Sequence, residues 1–185
     1  CHDTGEIGRY DKFFNRFMPA VRGKTLATVA SEEFISTTIR NGRPGTIMPA
    51  WGAQSGGLTE EEISKLQTYL KDDAPKDDRL PAEAIAIAQG KQSIPKGDAV
   101  KGKSLYERNC SACHGVDGIG VLAPDLANPA LLQSASDGFL YSTIAYGRRN
   151  TAMPGFLAAD RSGFSGQDVG DLVAHLRQLG QEKKP

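Results

Sequence analysis

The feature that most constrains this chain is that it repeats itself. Residues 31–51, SEEFISTTIRNGRPGTIMPAW, align without a gap on residues 136–156, SDGFLYSTIAYGRRNTAMPGF, with nine of 21 positions identical. The offset is 105 residues, and it carries Pro19 onto Pro124. With one inserted residue, Thr59 through Leu70 also matches Ser165 through Leu176. A duplicated chain of 185 residues has to build two small units, each too small to be comfortable without a staple, a metal or a cofactor. Composition sharpens this, because Leu, Ile, Val and Phe together make up only about 21% of the residues, which is sparse for a packed core.

Both copies read as all-α. Ser31 and Ser136 stand as N-caps before helices at Glu32–Arg40 and Asp137–Tyr146, each ended by a glycine. Thr59 followed by Glu60, Glu61 and Glu62 forms a capping box, and Ile63, Leu66, Tyr69 and Leu70 behind it are spaced to form one buried face. Val169, Leu172, Val173 and Leu176 repeat that spacing. Pro75, Pro81 and Pro95 mark residues 75–97 as a semi-rigid hinge with a short element at Ala82–Gln89, so units are expected at 1–74 and 98–185. Lys and Arg balance Asp and Glu at 22 each, which gives no basic face for nucleic acid. Apolar runs such as Ala84–Ala88 fall far short of the roughly 20 residues that a membrane span needs.

Cys110-Ser-Ala-Cys113-His114 is a C-x-x-C-H sequence, the signature for covalent attachment of a c-type haem. Its two thiols share a helical turn and can each form a thioether to a vinyl group, with His114 beneath the iron. A thioredoxin-type C-x-x-C expects a βαβ setting, and zinc needs a second ligand pair, so both competitors lack support. Cys1-His2 reads as the end of a second such motif, which explains three cysteines where four are expected. The rival reading makes Cys1 a lipidated N-terminal residue. Residues 3–18 then carry seven more residues than the matching stretch of the second copy, an insertion that a loop tolerates. Met48 and Met153 sit at equivalent positions of the most similar segment and are the candidate sixth ligands, a choice that raises a haem's potential. Met18 faces Ala123 in the alignment and is read as core, as is His175, whose equivalent is Tyr69.

Together, Cys110–His114, the A-P-D-L run at Ala123–Leu126 and the two G-R-x-x-T-x-M-P segments at Gly42–Pro49 and Gly147–Pro154 resemble the class I cytochromes c, in tandem as in the dihaem members. The resemblance implies two tandem domains, each a few helices round one covalently attached haem c. It implies that the carbonyls of Pro19 and Pro124 orient the proximal imidazoles. Arg43, Arg148 and Trp51 become candidates to meet haem propionates. The family's first helix corresponds to Asp98–Asn109, and no counterpart precedes Cys1. The chain is therefore expected to continue upstream, and the Ile63–Leu70 face to be left uncovered without that helix. The function implied is electron transfer between a redox protein donor and an acceptor in the periplasm, with an upstream membrane anchor left open. The alternative is a dihaem enzyme, a peroxidase or thiosulfate-oxidising type, with a labile sixth ligand such as Met48.

Overall fold

The computed structural model describes residues 1–120, 122–157 and 163–182. Among the described residues the regular structure is helical except for one antiparallel hairpin, strand β1 at Arg9–Asp11 and β2 at Arg16–Met18, which occupies the insertion read as a loop. Two helices follow, α1 at Lys24–Val29 and α2 at Glu32–Asn41, separated by an extended Ala30. Ser31 caps α2 by accepting from the Phe34 amide at 3.0 Å. Helix α3, Glu60–Lys71, starts on a complete capping box: the Thr59 amide donates to Glu62 Oε2 at 2.8 Å and the Glu62 amide to Thr59 Oγ1 at 3.3 Å.

After α4, Ala82–Ala88, the second half opens with α5 at Ala99–Asn109 and α6 at Ser111–His114. It continues through α7 at Pro129–Ser134, α8 at Asp137–Tyr146 and α9 at Gly166–Glu182. Helices α5 and α9 pack closely because Gly102 has no side chain: a Cβ there would lie 1.9 Å from the Asp171 carbonyl oxygen. The Asp171 carboxylate in turn accepts from the Asp98 amide at 2.8 Å, tying the start of α5 to α9. Under this crossing Tyr106, Val169, Leu172, Val173 and Leu176 are buried. The matching face of α3 is only partly covered. Ile63 is 1% exposed, but Leu66 is 38% and Tyr69 48% exposed, so the spacing that predicted one buried face yields a half-open one.

Residues 75–97, which their prolines marked as a hinge, carry α4, and α4 packs on α8. Ser142 Oγ donates to the Ala84 carbonyl at 2.8 Å, and Ala84 and Ile87 join a core cluster that runs from Val29 to Leu176. In the same segment Asp77 is almost fully buried and binds both halves of the chain. Thr25 Oγ1 donates to its Oδ2 at 2.6 Å, and Arg79 donates to both carboxylate oxygens at 3.1 and 3.0 Å. Arg149 of the second half stands 3.5 Å away, pairs with Asp78 at 2.5 Å, and donates its own amide to Thr25 Oγ1 at 2.9 Å.

Burial opposes the charge on Asp77, but the hydrogen bonds from Arg79 and Thr25 outweigh it and hold the carboxyl down at about 2. A carboxylate held below its unfolded value binds fewer protons when folded, so its stabilisation is complete above about pH 4 and is lost as pH falls toward 2. Asp77→Asn is expected to cost about 2 kcal/mol at neutral pH, the worth of that shift, and to flatten the acid limb of stability below pH 4. Thermal unfolding of the two proteins between pH 2 and 7 checks both effects.

Candidate functional site

The two G-R-x-x-T-x-M-P segments fold into the same loop. Each begins where a glycine with positive φ ends a helix, Gly42 at +63° after α2 and Gly147 at +69° after α8. A Cβ on either would lie about 2.4–2.5 Å from backbone of the returning strand of the loop, so both positions require glycine. The Arg43 amide donates to the Met48 carbonyl at 3.0 Å, and the Arg148 amide to the Met153 carbonyl at 3.0 Å. Threonine braces the interior of each loop. Thr46 Oγ1 donates to the Arg43 carbonyl at 2.8 Å and accepts from the Met48 amide at 3.2 Å. Thr151 Oγ1 does the same with Arg148 and Met153 at 2.8 and 3.1 Å. Trp51 and Phe156 close the loops through backbone bonds of 3.1 Å to the carbonyls of Ile39 and Ile144. Met48 and Met153 are thereby held in matching backbone frames, both half-buried.

The histidines are also matched. His114 Nδ1 lies 2.9 Å from the Pro124 carbonyl oxygen, and His2 Nδ1 lies 3.1 Å from that of Pro19. A carbonyl oxygen only accepts, so Nδ1 is the protonated nitrogen in each ring and Nε2 keeps its lone pair. Burial pushes the pKa of His114 down, against the opposing effect of the Pro124 bond. Cys110 precedes the short helix α6 and Cys113 lies within it, and burial, aided by the Cys113 charge, pushes the Cys110 thiol up to about 11. Cys1 is exposed. Tyr106, buried on α5, donates its hydroxyl to the Gly115 carbonyl at 2.8 Å and fixes the residue after His114.

Arg43 and Arg148 cross between the halves. Burial pulls Arg43 down to about 10 while the Asp125 carboxylate, beside Pro124, pulls the other way. Arg148 is held at about 10 by burial and then by repulsion from Arg43, and it donates to the carbonyl of Ala20, beside Pro19, at 3.1 Å. Each half thus sends its arginine toward the residue after the other half's histidine-bound proline. Among the described residues neither guanidinium has a carboxylate within ion-pair distance, Asp125 acting on Arg43 only from farther off.

Arg148 and Met153 share a cleft of about 490 Å³ with Arg79, Tyr146 and Arg149, whereas His114 and its cysteines lie outside that lining. Trp51, a propionate candidate by resemblance, is 49% exposed, although its equivalent Phe156 is buried. His175 is buried with its ring 5.3 Å from that of Tyr106, and Met18 is also buried. Sequence reasoning passed over Thr46 and Thr151, although their identity in the repeat was the available signal. It also passed over Thr25 and Asp77, whose bond spans 52 residues and leaves no local signature.

Residues 1–70 match the family model for cytochrome c oxidase, cbb3-type, subunit III, and residues 99–180 match the model for cytochrome c. The chain is 27% identical to a cbb3-type cytochrome c oxidase subunit CcoP of Azospirillum sp., an alignment covering 77% of this chain and 43% of the relative. It is 33% identical to subunit FixP of Bradyrhizobium diazoefficiens over 53% of this chain and 35% of that one. A cytochrome c subunit of alcohol dehydrogenase (quinone) from Gluconacetobacter polyoxogenes is 26% identical, over 84% of this chain and 36% of its own length. The chain therefore spans less than half the length of these relatives.

The threonine brace generates a test. Thr151→Val keeps the side chain's shape but removes a donor and an acceptor, at a cost of about 1–2 kcal/mol. The Met153 amide loses its only acceptor in the loop, so its hydrogen exchange is expected to accelerate about tenfold, one decade for each 1.4 kcal/mol. Exchange at the Leu172 amide in α9 should change far less.

Proposed function

The chain belongs to the cytochrome c family, and on that premise we propose that it is an electron carrier holding two haems c, one in each half. Cys110 and Cys113 would supply the thioethers of the second haem, and His114 and Met153 would ligate its iron. Cys1 would supply a thioether to the first, and His2 and Met48 would ligate its iron. The bound groups supply a ferric–ferrous couple, and the polypeptide supplies ligand choice, orientation and burial.

One observation carries this reading: the histidine bonded to a proline carbonyl and the threonine-braced methionine loop recur at equivalent places in both halves. The donor chemistry fits the group. Two thiols sit a turn apart, and each histidine is locked with Nε2 available to a metal. Among the described residues, Thr38 Oγ1 is buried without a hydrogen-bond partner and neither of the two half-buried guanidiniums has a carboxylate within ion-pair distance, which suits a cofactor bearing anionic propionates. Arg43 and Arg148 therefore bind propionates, and Pro19 and Pro124 fix the imidazole planes. With a histidine and a methionine of this chain holding each iron, no coordination site would remain for a substrate, which favours carriage over catalysis. The relatives are named as subunits of oxidases and a quinone-linked dehydrogenase, so this chain also relays electrons between protein partners, in the periplasm where haem c is attached.

A pyridine haemochrome assay on the purified protein is expected to give two haems per chain. The ferric spectrum should carry the weak methionine-to-iron charge-transfer band for both, and Met153→His should remove one band and lower that site's potential. One haem per chain would remove the assignments of Cys1, His2 and Met48. A high-spin ferric haem that binds cyanide rapidly would replace the carrier with a redox enzyme.

A further inference from the structure

The hairpin β1–β2 has no part in the function proposed above. The second half reaches Pro124 from His114 in nine residues, 115–123, and forms no strand among those described, whereas the first half uses sixteen, residues 3–18. The fold therefore does not need the hairpin to bring a proline carbonyl to a histidine.

What the extra residues build is a rigid apolar tip. Asp11 accepts from the amides of Phe13 and Phe14 at 3.0 and 3.2 Å, and Arg9 pairs with its other oxygen at 3.0 Å. Tyr10 donates its hydroxyl to Asn15, which adopts a positive φ of 50° to complete the turn. At the base, the Phe17 ring packs over Gly8, and Met18 is buried. These bonds hold Phe13 and Phe14 edge to face at a centroid distance of 5.0 Å, with Phe13 89% exposed at the very end. Tyr10 in β1 adds exposed apolar surface behind it. A phenylalanine so displayed gains nothing within the fold, because its ring remains in water.

Charge surrounds the tip. Lys12 and Arg16 flank it, and Arg9 stands farther back toward the base, paired with the single carboxylate of the hairpin, Asp11, which is turned inward with a side chain 14% exposed and its oxygens already bonded. The chain as a whole is neutral, so this surface is a local cationic exception. We propose that the hairpin docks the protein on an anionic phospholipid bilayer, with Phe13 and Phe14 entering the headgroup–acyl boundary and Lys12, Arg16 and Arg9 meeting lipid phosphates. The order along the strands fits that depth profile. The rings lead, and the cations follow within about 14 Å at strand spacing, whereas interfacial elements bury about 5–10 Å deep. No hairpin residue lines the cleft beside Met153. A protein partner would need a matching pocket for the tip, whereas a bilayer interface accepts it at any rotation about the membrane normal.

Co-sedimentation of the purified holoprotein with vesicles tests this. Binding is expected to vesicles containing phosphatidylglycerol, to weaken steeply with added salt, and to fall to background on pure phosphatidylcholine. The double change Phe13→Ser with Phe14→Ser should lower the bound fraction about tenfold or more. Lys12→Gln with Arg16→Gln should abolish the preference for phosphatidylglycerol. Unchanged haem spectra and thermal unfolding would exclude misfolding of these variants. Failure of the unmodified protein to bind phosphatidylglycerol vesicles at low ionic strength overturns the proposal, as does equal binding by the double phenylalanine variant. Equal vesicle binding with slower reduction by a protein donor would reassign the hairpin to protein docking and overturn it as well.

Discussion

Phe34 of α2 lies on Phe139 of α8, ring centroids 4.7 Å apart, and the rest of the structure depends on that contact. The two residues are 105 positions apart and occupy the same place in the repeat, so each half meets the other through its own counterpart, as at a symmetric dimer interface. Neither half has many large aliphatic residues to spare. Packing like on like lets Phe34, Ile35 and Ile39 share one core with Phe139, Leu140 and Ile144, and the area removed from water supplies the main stabilising term for both halves at once.

That contact sets where the arginines go. Because equivalent faces meet, Arg43 and Arg148 approach each other and each reaches the residue following the other half's histidine-bound proline. The repulsion between them is tolerable only where anionic charge is close, which is why a cofactor with carboxylates is the natural complement to this interface. Asp77 acts at the edge of the same contact. Its ordered bonds to Thr25 and Arg79, with Arg149 beside it, turn a proline-rich connector into a strap across both halves. The shared core together with this strap fixes the spacing of the two matched histidine–methionine arrangements.

Much of the site was legible from the residues. The helices starting at Ser31, Ser136, Thr59 and Asp98 follow local capping chemistry, which operates within four residues and leaves a direct imprint. The duplicated loops were visible as identities, and a backbone frame needing a positive-φ glycine and a bracing threonine explains why those positions match. The half-open face of α3 was expected from the missing counterpart of α5, not from its spacing, since periodicity says which residues share a face but not what stands opposite them. The hairpin escaped notice for a related reason: its strands are three residues long and its pattern is broken by Asp11 and Lys12.

The sequence by itself determined the duplication, the helical class, the haem-attachment motif and the matched histidine and methionine positions, because each is written in short-range residue chemistry. Only the tertiary structure decided that residues 75–97 bind the two halves together, that Phe34 meets Phe139, and that Arg43 and Arg148 cross between halves. Those outcomes depend on which surfaces find each other once the helices exist. That choice is set by burial and charge summed over residues more than 50 positions apart, and no local pattern encodes it.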